Sequence, residues 1–210
     1  MQRSSLIWVR AYRVIVAIVI LAAVLAIFPP IAGGGSIITY LSFFTIQSNL
    51  IAAVVLLWLA LRPPTATTAL RADIIRGAAV LYLAITGIVF ALLLSGAAGA
   101  MAGRMVWVNA VLHQLSPIAL FLDWLIVPPT PALTFRRALW WLVYPIAYLV
   151  YTLVRGAFLD WYPYPFTDPG MVGGYDGVLV YALVITVGVL VFMGLLFATG
   201  QGMRRLVARG

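Results

Sequence analysis

The sequence predicts an all-α fold, a polytopic membrane bundle of six transmembrane helices with both termini in the cytoplasm. Three observations carry this. The chain of 210 residues is 65% hydrophobic and only 9% charged, whereas a soluble domain of this length needs far more charge to cover its surface. Six apolar runs, about 9–31, 38–61, 74–97, 105–127, 134–155 and 176–200, each reach the roughly 20 residues that a bilayer core demands. All basic residues are arginine, and eleven of the thirteen fall on one side of the resulting topology. The runs form one domain over 1–210.

Arg3, Arg10 and Arg13 precede the first span. They imitate the charged region of a signal peptide, but the apolar run is too long and lacks a small-residue cleavage site, so it is read as a retained anchor. Pro29-Pro30 with Gly33, Gly34 and Gly35 separates it from the second span. Pro63-Pro64 ends the second, and Arg62, Arg71 and Arg76 bracket that connection. Gly96 to Gly103 separates the third span from the fourth, with Arg104 beside it. Pro128, Pro129 and Pro131 close the fourth, followed by Arg136 and Arg137. The fifth ends near Arg155, and Arg204, Arg205 and Arg209 follow the sixth. Arginine excess marks the cytoplasmic face, so only Arg104 and Arg155 lie outside, and an even number of spans is required. The segment from Leu159 to Gly174 is the one connection longer than a linker. No internal repeat of the kind found in inverted-repeat transporters is visible.

Composition also limits the chemistry. Without cysteine there is no disulfide, thiolate catalysis, thiolate metal site or lipid anchor on sulfur. With a single histidine, haem ligation across helices needs a second chain. No metal or cofactor is expected. The net charge of +8 is spent on topology, so no nucleic-acid partner is expected.

Polar residues inside apolar spans are the functional signal, because hydrocarbon penalises them. The second span carries Ser42, Thr45, Gln47, Ser48 and Asn49, with Ser42, Thr45 and Asn49 spaced 3 then 4 and so expected on one helical face. Interhelical hydrogen bonding is the plainer reading for any one of them. The fourth span places Asn109, His113, Ser116, Leu120 and Asp123 on one stripe. His113 is either a functional imidazole or a neutral packing element, and the cost of burying it favours function. Asp123, near the cytoplasmic end, is expected to pair with Arg136 or Arg137. The fifth span aligns Tyr144, Tyr148, Tyr151, Thr152 and Arg155. Arg155 is either a holder of a ligand carboxylate or an interfacial anchor paired with Asp160 or Asp168. The outer segment from Asp160 to Phe166 is aromatic and stiffened by proline. Its rings are ordinary belt residues or a lid over a lipid-facing pocket.

Depth ties two spans together. Both the second and the fourth run from outside to inside, and at the helical rise Thr45 lies ~10 Å in and His113 ~12 Å in. A hydroxyl beside an imidazole is the minimum apparatus for nucleophilic acyl transfer.

Three strings then carry a resemblance. Phe44-Thr45-Ile46-Gln47-Ser48-Asn49-Leu50 is one. Leu112-His113-Gln114-Leu115-Ser116-Pro117 with Asp123-Trp124-Leu125 is the second. The third runs from Tyr144-Pro145 through Arg155-Gly156 to Trp161-Tyr162-Pro163-Tyr164-Pro165-Phe166. Together they resemble the bacterial Pr6Pr family of membrane proteins over about residues 39–176. That family is distantly similar to the eukaryotic androgen-induced-gene membrane proteins, multi-pass threonine hydrolases of fatty acid esters of hydroxy fatty acids. The resemblance implies a bacterial inner-membrane protein in which Thr45 is the nucleophile and His113 its base. Asn49, Asn109, Tyr148, Tyr151 and Arg155 are then expected around the substrate. The expected function is hydrolysis of lipid esters within the outer half of the bilayer, with lipid as both solvent and substrate. Two other classes are weighed against it. A small-solute transporter or channel would use the polar stripes as a path, but lacks a repeat and a mid-membrane carboxylate. A structural membrane subunit would use them only to pack helices.

Overall fold

The computed structural model describes residues 3–28, 36–98 and 106–208. Pro29-Pro30, Gly33–Gly35, Gly103, Arg104 and Arg209 of the sequence reading lie outside those residues. All regular structure among the described residues is helical, as it must be where no water is present to satisfy the backbone. Six helices are long and apolar enough to cross a bilayer: Ile7–Ala26, Phe44–Leu61, Ala69–Leu94, Val106–Ile126, Phe135–Leu159 and Tyr175–Val207. The chain is a multi-pass membrane protein.

Helix α1 (Arg3–Ala26) packs along α3 (Phe44–Leu61), α3 along α4 (Ala69–Val89), and α4 along α7 (Ser116–Ile126). Ala52, Ala53, Leu56, Leu81, Leu83, Leu120 and Trp124 fill the seams between them. Small residues at these seams let backbones approach closely, which is how helices associate without a hydrophobic driving force. Helices α9 (Val143–Leu159) and α11 (Tyr175–Val207) cover the outside of this core, and most of their apolar side chains face lipid, while α5 (Ser95–Ala98), α8 (Phe135–Ala138) and α10 (Pro169–Val172) are short. At 33 residues, α11 is ~50 Å long and overshoots a ~30 Å hydrocarbon core. Its last turn carries Arg204 and Arg205.

The second span differs from expectation. A short helix α2 (Ile37–Leu41) stops, Ser42 and Phe43 interrupt, and α3 begins at Phe44. Ser42, Thr45 and Asn49 therefore do not lie on one continuous helix. Non-helical backbone at membrane depth survives only where protein satisfies it, and here polar side chains do so. Gln47 Nε2 donates to the Leu41 carbonyl (2.6 Å), Tyr148 Oη to the Ser42 carbonyl (2.8 Å), and Ser42 Oγ to the Ile38 carbonyl (2.7 Å). Tyr144 Oη donates in turn to Gln47 Oε1.

Two further spans each carry one π-helical turn: Phe90–Leu94 after α4, and Val111–Leu115 between α6 (Val106–Ala110) and α7. Such turns insert one residue into the helical register and recur at functional sites. The second has a local cause, since Pro117 has no N–H and its ring crowds the carbonyl of His113 four residues back. That carbonyl faces Gly87, where a Cβ would approach it to 2.9 Å.

Asp123 does not pair with Arg136 or Arg137, which are exposed on the first turn of the fifth long helix. Its carboxylate takes Arg13 Nε at 2.6 Å and Arg76 Nη1 at 3.3 Å, both arginines being buried. Sequence spacing favours the near arginines, but both are exposed on the first turn of their helix and turn away from the buried carboxylate. The buried carboxylate needs charges at its own depth, and among the described residues α1 and α4 bring them.

Candidate active site

The break between α2 and α3 puts Thr45 in the first turn of a long helix, two residues past its N-cap Phe43. The first N–H groups of a helix have no intrahelical partner, and that end carries partial positive charge. The Thr45 N–H finds Tyr164 Oη at 3.2 Å. The Thr45 hydroxyl lies 3.3 Å from His113 Nε2 and 3.5 Å from Tyr164 Oη.

His113 is set from behind. Its Nδ1 lies 3.3 Å from the Asn109 carbonyl oxygen, an acceptor only, so the neutral tautomer that satisfies this contact carries its proton on Nδ1. Nε2 is then free to accept from Thr45. The ring also stacks on Phe90, centroids 4.0 Å apart and 23° between planes. Both stacked rings come from the π turns.

Asn49 ties the two helices that carry the pair. Its amide donates to the carbonyls of Thr45 (2.8 Å) and Leu112 (3.1 Å), and its Oδ1 accepts from Ser116 Oγ (2.7 Å). It is fully buried, with all of these contacts inside the protein. Asn49→Leu is expected to lower stability by about 1–2 kcal/mol, because Ser116 and two carbonyls lose partners. Thermal unfolding of the purified chain in detergent checks this. An unchanged midpoint would show that the amide holds nothing.

The other expected residues spread out. Tyr148 is on the wall of the cavity described below, its hydroxyl used at the helix break. Tyr151 reaches Ser42 Oγ at 2.9 Å but is 41% exposed. Asn109 contributes its backbone carbonyl. Arg155 makes no ion pair with Asp160 or Asp168 among the described residues. Its guanidinium lies over the Trp161 ring at 4.6 Å, with Nη1 buried and without a hydrogen-bond partner among the described residues.

An apolar cavity of about 160 Å³ opens beside Thr45. Ile85, Val89, Leu149, Ile185 and Val189 form its sides, and Tyr164, Phe166 and Thr167 of the outer loop form its roof. The loop starts where Asp160, in the left-handed conformation (φ 48°), ends α9. Tyr162 then packs on Gly156 so closely that a Cβ there would meet the ring at 2.0 Å. Phe43 sits edge-on between Trp161 and Tyr164, both at 5.8 Å. Tyr164 and Phe90 are absent from the residues that sequence reasoning put at the site. Tyr164 sat among belt aromatics, and nothing in its spacing distinguishes a ring that turns inward.

The fold and site define a multi-pass helical membrane protein with a hydroxyl–imidazole pair whose hydroxyl residue, Thr45, lines an apolar cavity. No family model, curated protein or solved structure matches the chain.

Proposed function

We propose that this protein is a membrane-embedded hydrolase of lipid esters, with Thr45 as nucleophile and His113 as base. The observation that carries the reading is the 3.3 Å approach of Thr45 Oγ1 to His113 Nε2 on the edge of an apolar cavity. An alkyl chain in that cavity presents its ester carbonyl to Thr45. Thr45 Oγ attacks the carbonyl carbon and its proton passes to Nε2 of His113. Collapse of the tetrahedral intermediate breaks the ester C–O bond, and the leaving alkoxide takes the proton from His113. Water then attacks the acyl-threonine, losing its proton to the same nitrogen, and as that intermediate collapses the Thr45 oxygen leaves with the proton from His113, releasing the carboxylic acid and restoring both residues. The Asn109 carbonyl steadies the imidazolium formed in each half, the part an aspartate plays in other hydrolases.

The resemblance to the Pr6Pr family, and through it to the androgen-induced-gene hydrolases, supports the same assignment. It also supports placement in a bacterial inner membrane. A fluorophosphonate probe applied to the purified chain in nanodiscs is expected to label Thr45. Labelling disappears in Thr45→Ala and in His113→Ala while both remain folded. Folded variants that label like the native chain would remove the enzyme reading.

A further inference from the structure

Acyl transfer develops negative charge on the carbonyl oxygen, and most of the rate gain in such sites comes from donors aimed at that charge. We propose that the phenol of Tyr164, carried into the site by the outer loop, is this donor: a catalytic residue that stabilises the oxyanion formed when Thr45 attacks. The inference rests on the hydrolase reading above and assigns the part of the reaction that reading leaves without a residue.

Four observations support it. Tyr164 Oη accepts the Thr45 N–H at 3.2 Å, so its lone pair is engaged and its own proton is free to donate elsewhere. It lies 3.5 Å from Thr45 Oγ1, with His113 Nε2 at 3.3 Å from the same oxygen. The nucleophile thus has a proton acceptor and a proton donor within reach. A carbonyl carbon bonded to Oγ can bring its oxygen to the ~2.7–3.1 Å that such donors require. Third, Tyr164 lines the cavity that would hold the alkyl chain. Its ring is clamped by a parallel stack on Phe166 (5.2 Å, 5°) and an edge contact with Phe43, so the hydroxyl is held in place before the substrate arrives. Fourth, burial pushes the phenol above its ordinary range, which keeps it protonated and able to donate. The partial positive charge at the start of α3 acts on the same oxyanion. No proton leaves Tyr164; it gives a hydrogen bond that shortens as charge builds.

The test uses the full chain in nanodiscs with p-nitrophenyl octanoate. Tyr164→Phe removes one oxygen and keeps the ring. It is expected to lower kcat about 10²–10³-fold while KM changes less than about threefold. 3,5-Difluorotyrosine at the same position keeps the shape and changes only the acidity of the phenol. It is expected to restore kcat to within about tenfold of the native chain, which a purely structural role of the ring cannot explain. A folded Tyr164→Phe chain with native kcat, or a fluorinated chain no better than Tyr164→Phe, overturns the assignment and leaves Thr45 and His113 untouched. Absence of Thr45-dependent turnover in the native chain overturns the hydrolase reading and this inference with it.

Discussion

Asp123→Ala is expected to destabilise the protein by about 3–5 kcal/mol, the cost of stranding a buried charge by removing its partner. In the native chain the carboxylate accepts Arg13 Nε at 2.6 Å and Arg13 Nη2 at 3.1 Å, and Arg76 Nη1 at 3.3 Å. Arg76 also reaches Asp73 Oδ1 at 3.3 Å and the Val127 carbonyl at 2.5 Å, and lies over the Trp124 ring at 4.9 Å. Asp73 in turn accepts the Thr130 N–H at 2.7 Å. Two guanidiniums and two carboxylates therefore balance in a nearly dry cluster that joins α1, α4, α7 and the connection after α7. Alanine at 123 leaves two cations facing one carboxylate. The like-charge repulsion that Asp123 offsets is then felt at low dielectric, where it is strongest. Arg13→Leu in the same chain is expected to recover part of the loss, since it removes the surplus charge. The coupling of the pair, measured by thermal unfolding in detergent, should exceed about 1 kcal/mol. A single-variant loss below that figure would mean that water already solvates the cluster.

This cluster shows where the sequence was legible and where it was not. Apolar length and arginine placement were enough for six helices and a multi-pass membrane protein, because a bilayer enforces both through large transfer costs. The same rule misreads Arg13 and Arg76. Counting arginines by side assumes that each is solvated, yet both are buried. Their partner Asp123 is 110 and 47 residues away, separations that no local pattern reports.

The candidate site divides in the same way. Shared depth of Thr45 and His113 followed from helix rise and topology, and the structure brings their side chains to 3.3 Å. The rotation that turns them together did not follow, because it depends on a π turn at 111–115 and a helix break at Ser42–Phe43. Pro117 was a signal for the first. The break had none, since Leu41-Ser42-Phe43-Phe44 contains neither glycine nor proline. The polar cluster that looked like one face divides instead: Ser42 and Gln47 serve the break, Thr45 meets His113, and Asn49 ties α3 to the helix that carries His113. The element that orients His113 was invisible for another reason, being a backbone carbonyl that any residue at 109 could supply.

Thr45→Val, which keeps the shape of the side chain and removes its hydroxyl, is expected to lower kcat for p-nitrophenyl octanoate by ~10³-fold or more. Thr45→Ser, which keeps the nucleophile and loses one methyl, should stay within about tenfold of the native chain. His113→Ala removes the proton acceptor and should cost as much as Thr45→Val within about tenfold, because neither group works without the other. The sharper expectation concerns the double variant. If the two act as one unit, Thr45→Val with His113→Ala is no slower than the worse single variant, since the second change removes a group already idle. Independent contributions would multiply instead. A product of the two losses in steady-state kinetics would therefore show that Thr45 and His113 do not share a proton, however close they stand. The packing alternative is separated by the same proteins. Residues that only hold helices together would lower the unfolding midpoint and leave turnover per folded molecule unchanged, whereas loss of the Thr45 hydroxyl removes one hydrogen-bond partner from His113, a small stability effect beside a large kinetic one.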